Sequence, residues 1–129
     1  MEYNKKTILY VDDDEDDVEL LSDAIKNINP NIKVAVAKNG LEALEYLHSI
    51  THLPCLIVLD LNMPYLDGKQ TFQKIKADPL LQDLPVVVFT SSANPSDKAM
   101  FNSLGIDFIT KPHNFSAINN IAAQIIGSC

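Results

Sequence analysis

Five short apolar runs alternate along this chain with longer segments whose apolar residues recur at helical spacing, and that alternation leaves few folds open. Thr7-Ile8-Leu9-Tyr10-Val11 reads as a first strand. Asp17 to Ile28 follows, with Val18, Leu21, Ile25 and Ile28 on one helix face, and is closed by Asn29-Pro30. Ile32 to Ala37 alternates as a second strand. Gly40 to Ile50 sets Leu41, Leu44 and Leu47 along one side of a second helix. Cys55 to Leu59 is continuously apolar, the mark of a strand covered on both faces. Asp67 to Ala77 carries Phe72 and Ile75 and stops at Asp78-Pro79. Pro85 to Phe89 is a fourth strand, and Pro95 to Leu104 a helix with Gly105 placed to cap it. Ile106 to Thr110 and Phe115 to Ile126 complete the series as a fifth strand and a last amphipathic helix.

Alternation of this kind predicts an α/β fold with a doubly wound, five-stranded parallel sheet, because right-handed crossovers place helices on both faces. The 129 residues suit one domain spanning 1–129, with no output domain expected, and no repeat or long linker divides them. Sites in open parallel sheets gather beyond the carboxyl ends of the strands. Strand one ends at Asp12 and Asp13, strand three at Asp60, strand four at Thr90 and strand five at Lys111. Three carboxylates, a hydroxyl and an amine are therefore expected on one edge of the sheet.

Asp12 to Asp17 is a run of six acids. Asp14 reads as a helix N-cap, and Glu15, Asp16 and Asp17 as solvated residues suited to the positive end of the helix. Asp12 and Asp13 differ because they stand at the strand end. Crowded carboxylates repel, a hard divalent cation relieves the repulsion, and Mg²⁺ fits because it commonly uses one or two carboxylates with waters and phosphate oxygens. A calcium loop is set aside: Asp17 stands where it needs Gly, Asp23 where it needs Glu, and a strand precedes it. Asp60 is delivered by a buried strand, where an unpaired charge is costly. Lys111 can pair with it, and the Lys111-Pro112 step is a candidate cis peptide that would aim the amine over the sheet edge. The Thr90 hydroxyl is placed to donate to a phosphoryl oxygen.

A net charge of −7 argues against general nucleic-acid binding, which needs a basic stripe. The apolar run Thr7 to Val11 is too short for a signal peptide or a membrane span, so a cytoplasmic protein is expected. Cys55 and Cys129 stand at neither metal nor redox spacing and read as a buried small hydrophobe and a loose terminal thiol.

Taken in order, these pieces resemble the receiver domains of two-component response regulators over almost the whole chain. The pieces are Ile8-Leu9-Tyr10-Val11-Asp12-Asp13, Leu59-Asp60-Leu61-Asn62-Met63-Pro64 with Asp67-Gly68, Val86-Val87-Val88-Phe89-Thr90, and Lys111-Pro112. Lys76-Ala77-Asp78-Pro79 and Leu84-Pro85-Val86-Val87-Val88 also resemble single-domain receivers that serve phytochrome-type sensor kinases. The resemblance implies a flavodoxin-like (βα)5 fold and a phosphorylation switch. Asp60 would take a phosphoryl group from a sensor histidine kinase or a histidine phosphotransfer protein. Asp13, Asp60 and the Asn62 carbonyl would ligate Mg²⁺ directly, and Asp12 through a bound water. Lys111 and Thr90 would stabilise the phosphoryl group, and Thr90 would couple to Phe108 as the switch. Phe108 lacks the hydroxyl of a tyrosine, which argues against a switch relying on a hydrogen bond there. Asn62 and Ser92 would flank the hydrolytic water, giving dephosphorylation neither strongly blocked nor strongly assisted. The output would pass to a downstream protein, without nucleic acid or membrane, from a monomer or a dimer. Such a chain catalyses its own phosphorylation and dephosphorylation and is not a turnover enzyme.

Three rivals are weaker. A phosphatase of the haloacid dehalogenase type needs a second Asp where Asn62 stands. A nucleotide-binding flavodoxin relative needs a Gly- or Ser/Thr-rich loop after the first strand. An adaptor that had lost phosphorylation would have no use for Asp12, Asp13, Asp60, Thr90 and Lys111 together.

Overall fold

The computed structural model describes residues 6–91 and 94–129, with the side chains among them other than that of Phe115. Strands β1 (Thr7–Val11), β2 (Lys33–Ala37), β3 (Leu56–Leu59), β4 (Val86–Thr90) and β5 (Phe108–Thr110) alternate with five α-helices. The helices are α1 (Glu15–Ile28), α2 (Gly40–Ser49), α3 (Gly68–Ala77), α4 (Pro95–Ser103) and α5 (Ile118–Gly127), the last entered through a 3-10 turn at Phe115–Ala117. The strands form one parallel sheet in the order β2-β1-β3-β4-β5, as the alternation predicts.

Successive strand residues point to opposite faces. Ile8, Tyr10, Leu56, Val58, Val87 and Phe89 therefore face one side, under Leu21 and Ile25 of α1 and Ile118, Ala122 and Ile125 of α5. Leu9, Val11, Ile57, Leu59, Val86 and Val88 face the other, against Ala43 and Leu47 of α2, Phe72 and Ile75 of α3 and Phe101 of α4. Burial on both faces explains the unbroken apolar runs. Each large side chain so buried contributes about 1.5–3 kcal/mol relative to exposure.

Several local expectations need correction. Leu41 is exposed, because α2 turns Gly40, Ala43 and Leu47 inward. Thr71 and Leu66 occupy the space where a Cβ on Gly40 would go, so the close approach of α3 selects the small residues. Ile28 ends α1 exposed, beyond the reach of the sheet. Ile106 lies outside the β5 ladder because it closes α4: the Gly105 N–H donates to Asn102 O at 3.0 Å and the Ile106 N–H to Phe101 O at 3.0 Å. With Gly105 at φ +75°, this is a Schellman motif, and the predicted cap is in place. The described residues contain no cis peptide bond, so Lys111–Pro112 is trans. Extended backbone alone brings Lys111 to the edge, its N–H donating to Thr90 O at 2.8 Å.

The cysteines are also corrected. Cys55 and Cys129 form a disulfide across 74 residues, their Cα atoms 5.0 Å apart. Helix α5 packs on the face that Leu56 and Val58 share, and its end returns the chain terminus to the start of β3. Sequence spacing carries no trace of such a long-range approach.

Gly68 opens α3 directly against the loop after β3. A Cβ there would collide with the Asp60 carbonyl oxygen and the Leu61 Cα, both backbone atoms that cannot step aside. Gly68→Ala should therefore lower stability by about 1–3 kcal/mol, the range for overpacking, despite alanine's better helix propensity. Urea unfolding measures this; an unchanged midpoint would mean that α3 can shift away freely.

Candidate functional site

Asp12 and Asp60 leave neighbouring parallel strands whose register pairs Val11 with Leu59. The ladder continues one residue further, with the Asp12 N–H donating to Ala37 O at 2.9 Å and the Asp60 N–H to Val11 O at 3.0 Å. Both acids are thus held on regular backbone, at the position where successive crossovers pass to opposite faces of the sheet. Carboxylate oxygens of Asp12, Asp13 and Asp60 lie within 4.8 Å of one another. Asp12 and Asp60 are buried and Asp13 is exposed. Hard oxygen donors at this spacing suit a divalent cation, since each carboxylate can turn one oxygen inward.

Asp12 is heavily engaged. Its Oδ2 accepts from the Tyr10 hydroxyl at 2.9 Å and the Lys111 Nζ at 2.8 Å, and its Oδ1 accepts from the Asp14 N–H at 3.0 Å. Lys111 Nζ also donates to Asp17 Oδ2 at 2.8 Å, and stands 3.5 Å from Asp60 Oδ2. The expected pairing of Lys111 with Asp60 is thus secondary to its bonds with Asp12 and Asp17. Asp60 is supported by the Thr90 hydroxyl and, at 3.4 Å, by the Asn62 N–H. Asn62 itself is exposed in the loop after β3, while Ser92 falls outside the described residues.

Burial pushes the Asp60 carboxyl above its ordinary pKa, and the Asp12 charge adds to the effect; Thr90, Lys111 and the Asn62 N–H act against both. For Lys111, burial alone would weaken the charge. Hydrogen bonds to Asp12 and Asp17, with the fields of Asp60 and Asp12, overcome it and hold the amine above its usual value. Burial first, and then the Asp12 charge, keeps the Tyr10 phenol neutral and donating. The lysine also lies 5.9 Å from the centre of the Phe89 ring, and that ring is 6.3 Å from Tyr10.

The sheet edge therefore gathers Asp12, Asp13, Asp60, Thr90 and Lys111, each at the strand end where the sequence put it. Asp14 caps α1 as expected, accepting from the N–H groups of Asp16 and Asp17. Two members were missed. Tyr10 lies two residues before Asp12 and so shares its side of β1, a periodicity that could have revealed it. Asp17 reads from the sequence as a solvated helix acid because its partner, Lys111, lies 94 residues away. Phe108 is half-buried and packs on Phe101 at 6.2 Å, which meets Phe72 edge-on at 5.2 Å. It pairs with Val88, so Thr90, two residues on, projects to the same face of the sheet.

Comparison with known proteins agrees with this geometry. The response regulator receiver domain family matches residues 8–123. The response regulator Rre1 of Synechocystis sp. is 34% identical over 115 residues, 88% of this chain and 49% of Rre1, so the chain spans about half of that relative. Rcp1 of Synechocystis sp. is 33% identical over 115 residues, 84% of this chain and 78% of Rcp1. A Mn²⁺-bound structure of Rcp1 superposes with a TM-score of 0.82 and 31% identity, covering 92% of both chains. The phosphorylated cyanobacterial phytochrome response regulator RcpA superposes with a TM-score of 0.85 and 34% identity, covering 95% of this chain and 91% of its own.

Proposed function

Because this chain belongs to the response regulator receiver family, we propose that it is a phosphorylation switch in which Asp60 accepts a phosphoryl group from the phosphohistidine of a sensor kinase or phosphotransfer protein. The observation that carries this reading is a buried carboxylate at a strand end, faced by a hydroxyl, an amine and two further carboxylates. An Asp60 oxygen attacks phosphorus, the phosphorus–nitrogen bond breaks, and its electron pair returns to the imidazole. Lys111 lies within a short swing of the incoming oxygens and offsets their charge, while Thr90 donates to one of them. Hydrolysis reverses the switch, with water as the second acceptor.

Asp13, Asp60 and the Asn62 carbonyl would hold Mg²⁺, with Asp12 acting through a bound water. When bound, the cation supplies positive charge between the acceptor and the transferring group. Indirect ligation by Asp12 agrees with its oxygens being already engaged by Tyr10, Lys111 and Asp14.

The readout would run from Thr90 to Phe108. Movement of Thr90 towards the phosphoryl group would open room for the Phe108 ring on the face they share, and phosphorylation supplies the differential contacts a two-state shift requires. The exposed face of α4, β5 and α5 is then the surface for a downstream protein, and for a second copy if the chain dimerises. A histidine kinase as phosphoryl source would put the chain in the cytoplasm. A reducing cytoplasm would open the Cys55–Cys129 disulfide to two thiols on neighbouring backbone, their Cα atoms 5.0 Å apart.

The test is incubation with Mg²⁺ and a small acyl phosphate, followed by intact-mass measurement. A single phosphoryl adduct, absent when the metal is chelated, is expected. Turnover of the donor without an adduct would point to a phosphatase, and neither result would leave an adaptor.

A further inference from the structure

We infer that Asp17 is a positioning residue for this reaction: it holds the Lys111 amine back from Asp60, so that the acceptor carboxylate stays open to the cation and the phosphoryl donor. The inference rests on the reading of Asp60 as acceptor.

The ammonium of Lys111 has three protons to place. Two good bonds, each 2.8 Å, go to Asp12 Oδ2 and Asp17 Oδ2. Asp60 Oδ2, at 3.5 Å, is beyond the usual N–H···O range. Asp17 reaches the amine from the first turn of α1, and the Asp14 cap fixes its backbone by accepting the Asp17 N–H at 3.1 Å. The acidic run therefore divides its labour, with Asp14 closing the helix end and Asp17 turning back to the sheet edge. Glu15 and Asp16 are exposed, and Glu15 pairs at 3.9 Å with Lys38, away from the site.

Replacing the Asp17 carboxylate with an amide would turn a charge-assisted bond into a weaker neutral one and let one ammonium proton turn towards the buried Asp60 carboxylate. The amine side chain is 10% exposed and that of Asp60 6%, so water is a poor alternative partner and Asp60 is the near one. A closed Asp60–Lys111 pair would compete with the cation for the same oxygens. Once the cation has displaced it, however, the amine could move to the phosphoryl group without first breaking a bond to Asp17. The two effects have opposite signs. General damage to the site would instead weaken metal binding and slow phosphorylation together.

Asp17→Asn, Lys111→Met and the double variant form the test, measured first by Mg²⁺ titration without donor and then by phosphorylation rate against Mg²⁺ concentration. Asp17→Asn should raise the Mg²⁺ dissociation constant about fivefold, and by less than about twofold once Lys111 is Met, since coupling exists only while the partner is present. Its rate at saturating Mg²⁺ should exceed the parent's. No shift, an equal shift in the Lys111→Met background, or a saturating rate at or below the parent's overturns the inference. If Lys111→Met does not fold, Lys111→Gln takes its place. Failure of the parent itself to form an adduct would defeat the acceptor assignment, whereas the Mg²⁺ cycle would still judge Asp17.

Discussion

Asp60→Asn should fold, form no phosphoryl adduct, and unfold at higher urea concentration than the metal-free parent at neutral pH. The loss of the adduct should be complete, because an amide oxygen cannot serve as the anionic nucleophile. The gain in stability follows from the environment of the carboxylate. Burial and the Asp12 charge penalise its ionised form more than Thr90, Lys111 and the Asn62 N–H favour it, so its pKa in the folded protein lies above that of the unfolded chain. Between those two values the folded state binds more protons than the unfolded one, so stability falls as pH rises and is restored as pH falls. Below the unfolded value, about 3.9 for an aspartate, this contribution is constant. The parent-minus-variant difference in unfolding free energy should therefore shrink on acidification from neutral pH. An adduct mapped to another residue would remove the acceptor assignment. A difference that grows on acidification would show Asp60 to be stabilised as the anion.

Asp13→Ala should reverse the response to metal. Asp13 stands exposed within the carboxylate cluster, and among the described residues no hydrogen bond or ion pair engages its side chain. Without metal, the substitution removes repulsion and should raise the melting midpoint slightly, because an exposed charge is well screened. With metal, the parent should gain about 2.7 kcal/mol at a hundredfold excess of Mg²⁺ over its dissociation constant, and the variant should lose most of that gain. Asp16→Ala should keep it, since Asp16 points into solvent from α1. Urea melts of the three proteins with and without Mg²⁺ decide the matter. If metal-free Asp13→Ala melts earlier than the parent, Asp13 is a structural acid; equal losses in both variants would mean that the acidic run binds metal diffusely.

Much of this was open to reading because the fold repeats one local rule. Apolar runs buried on both faces and helices with one apolar stripe each leave a period in the sequence, and parallel connection then places every strand's carboxyl end on one edge. Asp12, Asp13, Asp60, Thr90 and Lys111 needed only their positions at those ends. Such inferences use neighbours along the chain, where covalent geometry dictates the pattern.

What the sequence could not decide are contacts between parts distant along the chain. Leu41 lost its place in the core to Gly40 because α3 approaches α2 too closely for a Cβ. Cys129 met Cys55 because α5 runs back along the sheet. Lys111 chose Asp12 and Asp17 over Asp60 because distances between side chains on three elements, within a few tenths of an ångström, rank hydrogen bonds that charge alone cannot. Residue order determined which groups reach the sheet edge; only the packed tertiary structure decided which of them touch, since hydrogen bonds and close packing depend on distances that no local periodicity encodes.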